Sequence, residues 1–235
     1  MGFSKSVIKR YKKLIEENKN LPKVIERKTL NLDTPRKDLR IDEEIFWEKL
    51  VVGIVTSNAK SNSAFRKKLD DSRILKYEVV KKELKDLESI CERLEKYKIG
   101  HYERNSTALL IDLERLDKNW METEKHLKTL QYDTTLEKER KVAEYLTDVF
   151  HQIGPKQSRN IIQMLGLSRY VVPLDSRMDK TINEYGGIVL PEKQKPYSRE
   201  DSYRVIEDQI NDLCCELDIY PCLFDSCVFW SKDDE

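Results

Sequence analysis

The sequence lacks a long apolar run: no stretch approaches the roughly 20 hydrophobic residues that a membrane-spanning helix requires. It also lacks a secretory-type start, in which basic residues precede an apolar core. Glycine and proline are scarce, with seven of each in 235 residues, although strand-rich folds need such residues at their many turns. Because 37% of the residues are charged and 39% are hydrophobic, we predict an all-α protein inside the cell, without a membrane partner.

Histidine is equally scarce, and cysteine occurs in an odd number. The three histidines, His101, His126 and His151, do not have the spacing of metal ligands. The five cysteines stand in a chain without an export signal, so reduced thiols are expected rather than a disulfide framework. These absences argue against a histidine metal centre and against a disulfide-stapled secreted domain.

The net charge of zero conceals an uneven distribution of charge along the chain. Residues 1–40 carry 12 basic and 5 acidic side chains, a net charge of +7, and residues 150–180 have a net charge of +3. Residues 181–235 have a net charge of −8. A polyanion could meet the positive regions while the acidic end faces away, because screening limits the repulsion to about 8–10 Å. Solvated helix faces would give the same pattern.

The spacing of apolar residues predicts helices along most of the chain. Residues 20–40 contain two prolines and many charges, so we predict an extended linker behind a basic first helix. This divides the chain into residues 1–40 and a globular region over residues 41–235, which closes with helices over 199–235. The other helices are predicted over residues 45–54, 74–98, 108–130, 136–152, 155–165, 175–185 and 202–217, with a short one from residue 64.

A turn is predicted between two helices at residues 152–156, with Gly154 inside it and Pro155 at the first position of the second helix. Glycine lets backbone N–H groups approach a phosphate, and the positive end of the helix dipole favours an anion there. Lys156 falls in the first turn, where the dipole disfavours its ammonium form. A neutral lysine amine is a nucleophile that can attack a sugar carbon. The turn therefore predicts DNA-backbone binding beside a nucleophile.

Asp175 is the predicted carboxylate partner of Lys156. It follows the stretch Val172-Pro173-Leu174, which is extended because proline biases the preceding residue away from helix. Cleavage of an N-glycosidic bond builds positive charge on the deoxyribose, and a fixed carboxylate stabilises that charge. Taken alone, each residue has a simpler interpretation: Lys156 as one solvated lysine among many, and Asp175 as an ordinary helix N-cap.

Together these elements resemble the catalytic core of the helix-hairpin-helix-GPD DNA glycosylases, over residues 150–180. The bifunctional members of that superfamily have a hairpin ending in Gly-x-Lys and, after a short helix, an extended Val-Pro-x-Asp. Asp175 follows Lys156 by 19 positions, the separation found in the 8-oxoguanine branch. The resemblance implies a Schiff-base nucleophile at Lys156 and an essential aspartate at Asp175. It also implies contacts to the DNA backbone from Gly154, Arg177 and Lys180.

Weaker similarities place three more residues at the DNA or at the extruded base. Asn58 follows an apolar helix, as does the early DNA-facing loop of the family, and Phe229 and Trp230 are candidates for stacking on the base. The sequence departs from the family at Gln152, where the hairpin usually has glycine. It departs again at Asn160, where some animal-type relatives use a cysteine against the base.

Related enzymes often carry an iron–sulfur cluster on four cysteines near the C-terminus. Cys215 and Cys222 have the required six residues between them, but Cys227 follows after four more residues and no fourth cysteine comes after it. Since a cluster needs four ligands, buried or free thiols are expected instead. We predict neither a metal nor another cofactor.

The resemblance implies a two-lobed, all-α glycosylase that acts as a monomer on double-stranded DNA with a damaged base or an abasic site. Lys156 would attack C1′ of an extruded nucleotide, release the base, and permit β-elimination of the 3′ phosphate, with 8-oxoguanine as the preferred lesion. Two alternatives remain open: a non-catalytic helix-hairpin-helix module that binds the DNA backbone, and a monofunctional glycosylase for alkylated bases in which Lys156 is a bystander.

Overall fold

The computed structural model describes residues 2–56, 63–190 and 199–231. Within these ranges the fold is all-α, as predicted, with no β-strand. None of the described helices is both long and apolar enough to cross a membrane. In chain order the α-helices are α1 Lys5–Asn18, α2 Pro22–Lys28, α3 Glu43–Val55, α4 Ser63–Ser72, α5 Tyr77–Glu83, α6 Leu87–Lys96, α7 Tyr102–Tyr132, α8 Leu136–Val149, α9 Pro155–Met164, α10 Ser176–Tyr185, α11 Glu200–Leu217 and α12 Pro221–Trp230.

Capping signals in the sequence set several helix ends. The side chains of Asp42 and Asp86 each accept a hydrogen bond from the backbone N–H three residues on, which satisfies a donor that the first turn leaves free. Pro155 stands at the first position of α9, where its missing N–H costs nothing. Gly166, with a φ of 78°, follows the end of α9 in the left-handed region that favours glycine. The predicted start of α9 at Pro155 is therefore confirmed, and the helix ends at Met164, one residue before the predicted end.

Residues 20–40 do not form the predicted extended linker. They contain α2, a π-helix over Thr29–Asp33 and a 3-10 helix over Arg36–Asp38. Pro22 begins α2 instead of interrupting a helix, since the first helical position needs no N–H donor. The prediction was wrong because it took proline and charge as signs of a linker, although both prolines of the segment stand at helix starts.

The single helix predicted over residues 74–98 is two helices, α5 and α6. Asp86 separates them because a capping aspartate favours a non-helical backbone. Leu84, the C-cap of α5, is buried in the core. The predicted helix over 108–130 is present but longer, because α7 runs from Tyr102 to Tyr132. Element types were therefore easier to predict than element boundaries.

Two apolar cores make the fold two-lobed, as predicted. The central lobe has its core within residues 41–171, which form α3 to α9. The terminal lobe has its core in residues 7–24 and residues 172–228, and α1 and α2 pack there against α12. The first helices of the chain therefore belong to the same lobe as the last ones.

Candidate active site

The turn between α8 and α9 is held by α7. The carboxylate of Asp112 accepts a hydrogen bond from His151 N at 2.6 Å, and Arg115 Nη1 donates to Val149 O at 2.9 Å. These bonds satisfy backbone groups that the end of α8 and the turn would otherwise leave unpaired. A long helix of the central lobe thereby fixes the position of the turn.

Gln152, at which the sequence departs from the hairpin it resembles, stands in this turn. Its φ is 58°, in the left-handed region that glycine enters freely and that costs other residues roughly 1–2 kcal/mol. Its side-chain amide donates to Arg104 O at 3.2 Å, which offsets part of that cost. Gln152 therefore has a backbone conformation that suits glycine.

Replacing Asp112 with Asn is expected to change how stability depends on pH. Asp112 is fully buried, and burial raises its pKa from 3.8 to about 7. Because the folded-state pKa is the higher one, the side chain favours folding at low pH, and this contribution is lost as the pH rises from about 4 through 7. Asn still offers an acceptor to His151 N but does not ionise. Urea titrations give the free energy of unfolding of each protein. The value for the variant minus the value for wild type should rise by about 2–4 kcal/mol between pH 4 and pH 8.

A difference in unfolding free energy that stays constant over this range would contradict the elevated pKa of Asp112. Asp86→Asn provides the matched control, because Asp86 is an exposed N-cap on the neighbouring helix α6.

The extended segment before α10 has its backbone groups paired by buried side chains rather than by a strand. Glu139 of α8 is fully buried and accepts hydrogen bonds from the three consecutive N–H groups of residues 169–171, at 2.8–2.9 Å. The hydroxyl of Thr134 donates to the same carboxylate at 2.8 Å. A buried carboxylate is costly unless several donors satisfy it, and this one has five, since the hydroxyl of Ser168 also donates to it at 3.5 Å. Glu139 therefore fixes the path of the segment.

Two buried residues of α11 pair the backbone groups of the next part of the segment, just before Asp175. Glu207 accepts a hydrogen bond from Val172 N at 3.2 Å. The hydroxyl of Tyr203 donates to Val172 O at 2.8 Å and accepts from Leu174 N at 2.7 Å. Asp175 is thus positioned by side chains from two different helices, α8 and α11, neither of which is adjacent to it in sequence.

Lys156 and Asp175 line one cavity of about 140 Å³, whose walls come from both lobes. Lys156 is half-buried in the first turn of α9. Asp175 caps α10, since its Oδ1 accepts from the N–H groups of Arg177 and Met178 at 2.9 Å and 3.0 Å. The N-cap interpretation of Asp175 is therefore correct, and the capping bonds hold the same carboxylate on the cavity wall.

Comparison with known proteins gives matches in structure but not in sequence: no family model and no curated protein matches the chain. The 8-oxoguanine DNA glycosylase of Methanocaldococcus jannaschii matches with a TM-score of 0.68 and 15% identity, over 97% of this chain and 94% of that one. The 8-oxoguanine DNA glycosylase of Thermotoga maritima matches with a TM-score of 0.66 and 18% identity, over 97% of both chains. The Methanocaldococcus jannaschii 8-oxoguanine glycosylase/lyase in complex with a 15-mer DNA containing 8-oxoguanine matches with a TM-score of 0.68 and 16% identity, over 95% of this chain and 97% of that one. This chain has the fold of an 8-oxoguanine DNA glycosylase.

In this glycosylase fold, Arg177 and Phe229 share part of the cavity wall. The guanidinium carbon of Arg177 lies 4.0 Å from the centroid of the Phe229 ring, within the range of a cation–π interaction. Arg177 Nη1 also lies 3.5 Å from Asp175 Oδ2. Trp230 packs edge-to-face on Phe229, with 4.8 Å between the ring centroids, and does not line the cavity. The fold therefore brings one of the two predicted stacking residues to the cavity.

The remaining predicted site residues lie in different places. Gly154 is the N-cap of α9, and a Cβ built there would meet nothing within 4 Å. Lys180 is exposed on α10 and does not line the cavity, whereas Asn160 does. Asn58 lies outside the described residues.

Sequence reasoning missed a polar network on the cavity wall. Arg27 of α2 donates to the amide oxygen of Gln163, and Gln163 Nε2 donates to Asp225 Oδ2 at 2.9 Å. Burial raises the pKa of Asp225 to about 7, and the charge of Arg27 opposes this effect. The network joins residues 136 and 62 positions apart, so no local pattern could have paired them.

The cavity combines a primary amine, two carboxylates and several side-chain amides on its walls. An amine can form a covalent bond to a sugar carbon, a carboxylate can stabilise a developing cation, and amides can bind the edge of a base. Within residues 2–56, 63–190 and 199–231, no three His, Cys, Asp or Glu side chains are grouped as metal ligands would be.

Proposed function

We propose that this chain is a DNA glycosylase with lyase activity at abasic sites, which excises a damaged base from double-stranded DNA. 8-Oxoguanine is the proposed lesion. The observation that carries the proposal is the presence of Lys156 and Asp175 on the wall of one cavity in a glycosylase fold. The match to the glycosylase/lyase complexed with 8-oxoguanine DNA supports the choice of substrate.

In the proposed reaction the damaged nucleotide is extruded from the duplex, which places C1′ at Lys156. The amine of Lys156 forms a bond to C1′ while the bond from C1′ to the base breaks. The base leaves with the bonding electrons and takes up a proton. The sugar ring then opens to give an imine between Lys156 and C1′. Loss of a C2′ proton expels the 3′ phosphate by β-elimination.

The surroundings of Lys156 and Asp175 support these roles. Lys156 lies in the first turn of α9 and lines the cavity, so its primary amine stands on the same wall as the carboxylate of Asp175. Asp175 is held by two capping hydrogen bonds, so its carboxylate does not need to reorganise when positive charge develops on the sugar.

The proposed DNA contacts come from residues around the same cavity. Gly154 is the N-cap of α9, and no atom lies within 4 Å of a Cβ built there, so a phosphate could approach the start of this helix from that side. Arg177 and Lys180 supply positive charge on α10, one at the cavity and one on the exposed surface. Such contacts bind the backbone without reading the base sequence.

The test is to incubate the protein with duplexes that contain 8-oxoguanine, an abasic site or no lesion, with and without borohydride. We expect release of 8-oxoguanine, nicking of both damaged duplexes, and a covalent complex on reduction, with no product from undamaged DNA. Base release without nicking or trapping would indicate a monofunctional glycosylase. Salt-sensitive binding without base release or nicking would indicate a non-catalytic module.

Asp175→Asn is expected to lower the rate of base release by about 100- to 1000-fold, because the fixed negative charge next to the reacting sugar is lost. Asn is as good an N-cap as Asp, so α10 and the melting temperature should be preserved. The matched control is Asp86→Asn, the same substitution at the N-cap of α6, away from the cavity. Single-turnover rates measure the effect, and equal rates for the two variants would remove Asp175 from the mechanism.

A further inference from the structure

Gln157 is a buried glutamine on the cavity wall with an unused hydrogen-bond acceptor. It follows Lys156 in the first turn of α9, and 6% of its surface is exposed. Its Oε1 is buried and has no hydrogen-bond partner among the described residues. Buried amide oxygens are normally paired, because an unpaired one loses its bonds to water without a replacement. An unpaired acceptor on a cavity wall therefore points to a donor on the ligand.

A second glutamine on α9, Gln163, differs from Gln157 in its hydrogen bonds. Gln163 also lines the cavity, but its amide oxygen accepts from Arg27 and its nitrogen donates to Asp225. Both polar groups of the Gln163 side chain are therefore used within the protein, whereas the side-chain oxygen of Gln157, another residue of the cavity wall, has no partner among the described residues.

We propose that Gln157 reads the extruded base: its Oε1 accepts a hydrogen bond from an N–H group of that base. This inference rests on the proposed glycosylase function. 8-Oxoguanine suits such an acceptor because it carries N–H donors at N1, at the exocyclic amine and at N7, and guanine lacks the last of these. A base without a donor at the contact point would leave the oxygen buried and unpaired, which is how a polar site rejects the wrong substrate.

The experiment compares two activities of the same protein. Base release from an 8-oxoguanine duplex needs recognition of the base, whereas nicking of an abasic duplex uses Lys156 but has no base to read. For Gln157→Met, which keeps the length of the side chain but removes the acceptor, we expect the ratio of base release to abasic nicking to fall about 10- to 100-fold. Gln157→Glu restores an acceptor oxygen, so its ratio should return to within a few-fold of wild type.

Gln209→Met is the matched control, because Gln209 lies on α11 and does not line this cavity. An unchanged ratio in Gln157→Met would overturn the assignment. An equal fall in both activities would also overturn it, since it would show that Gln157 acts through Lys156 and not on the base. If wild-type protein neither releases base nor nicks abasic DNA, the proposed glycosylase function itself fails, which is a different result from either of these.

Discussion

Lys156→Gln is expected to abolish the covalent complex that borohydride traps with abasic DNA, and to lower nicking at least about 1000-fold. Glutamine has a similar length and fits the same half-buried position in α9, but its amide nitrogen is not nucleophilic. Binding of the damaged duplex should remain within a few-fold of wild type, because the start of α9 and Gly154 are unchanged. Gel analysis of reduced complexes and a binding titration measure the two effects.

The control for this substitution is Lys118→Gln, an exposed lysine on α7 that does not line the cavity. It should trap like wild type. If Lys156→Gln still forms the reduced complex at the wild-type rate, another amine of the chain makes the imine, and the central assignment is wrong.

Glu139→Ala is expected to lower the free energy of unfolding by about 3–5 kcal/mol. The substitution leaves the buried N–H of Val171 and the part-buried N–H groups of residues 169 and 170 without their acceptor, and it also removes the negative charge 3.8 Å from the buried Arg36. Since these bonds fix the segment that leads to Asp175, base release should fall even at temperatures where the variant is folded. Urea denaturation and single-turnover assays well below the melting temperature separate the two effects.

The matched control is Glu137→Ala, two positions earlier on α8, where the side chain is 55% exposed and lies 3.8 Å from Arg204. An exposed ion pair contributes about 0–1 kcal/mol, so this variant should be close to wild type in stability. Equal effects of the two substitutions would contradict the role given to Glu139.

The parts of the fold that the sequence predicted are those governed by local chemistry. Helix caps, a proline at a first helical position and apolar spacing all act within a few residues, so α9 and the start of α10 were predicted correctly. The break between α5 and α6 was missed, although Asp86 is a local signal, because the apolar spacing runs on through it. Residues 20–40 were misread because their structure depends on docking against distant parts of the chain.

Some residues of the candidate site could be predicted from the sequence, and others could be found only in the structure. Lys156 and Asp175 stand at a recognisable separation in one segment, and the cavity contains both. Arg27 and Asp225 reach the same cavity from opposite ends of the chain, through Gln163. Arg27 and Asp225 lie at the cavity because of how the lobes pack. Their place there is therefore visible in the structure but does not follow from the spacing of residues in the sequence.

The division of the terminal lobe between the two ends of the chain has a consequence for synthesis. The apolar face of α1 leaves the ribosome about 200 residues before the end of α12, which at about 5–20 residues per second is a wait of about 10–40 s. During that wait the segment over residues 41–171 can complete its own core, while the α1 face stays uncovered. Chaperones that bind exposed apolar helices would therefore meet α1 before the rest of the terminal lobe is made, and chains that stop short of α12 would keep the apolar face of α1 open to proteases.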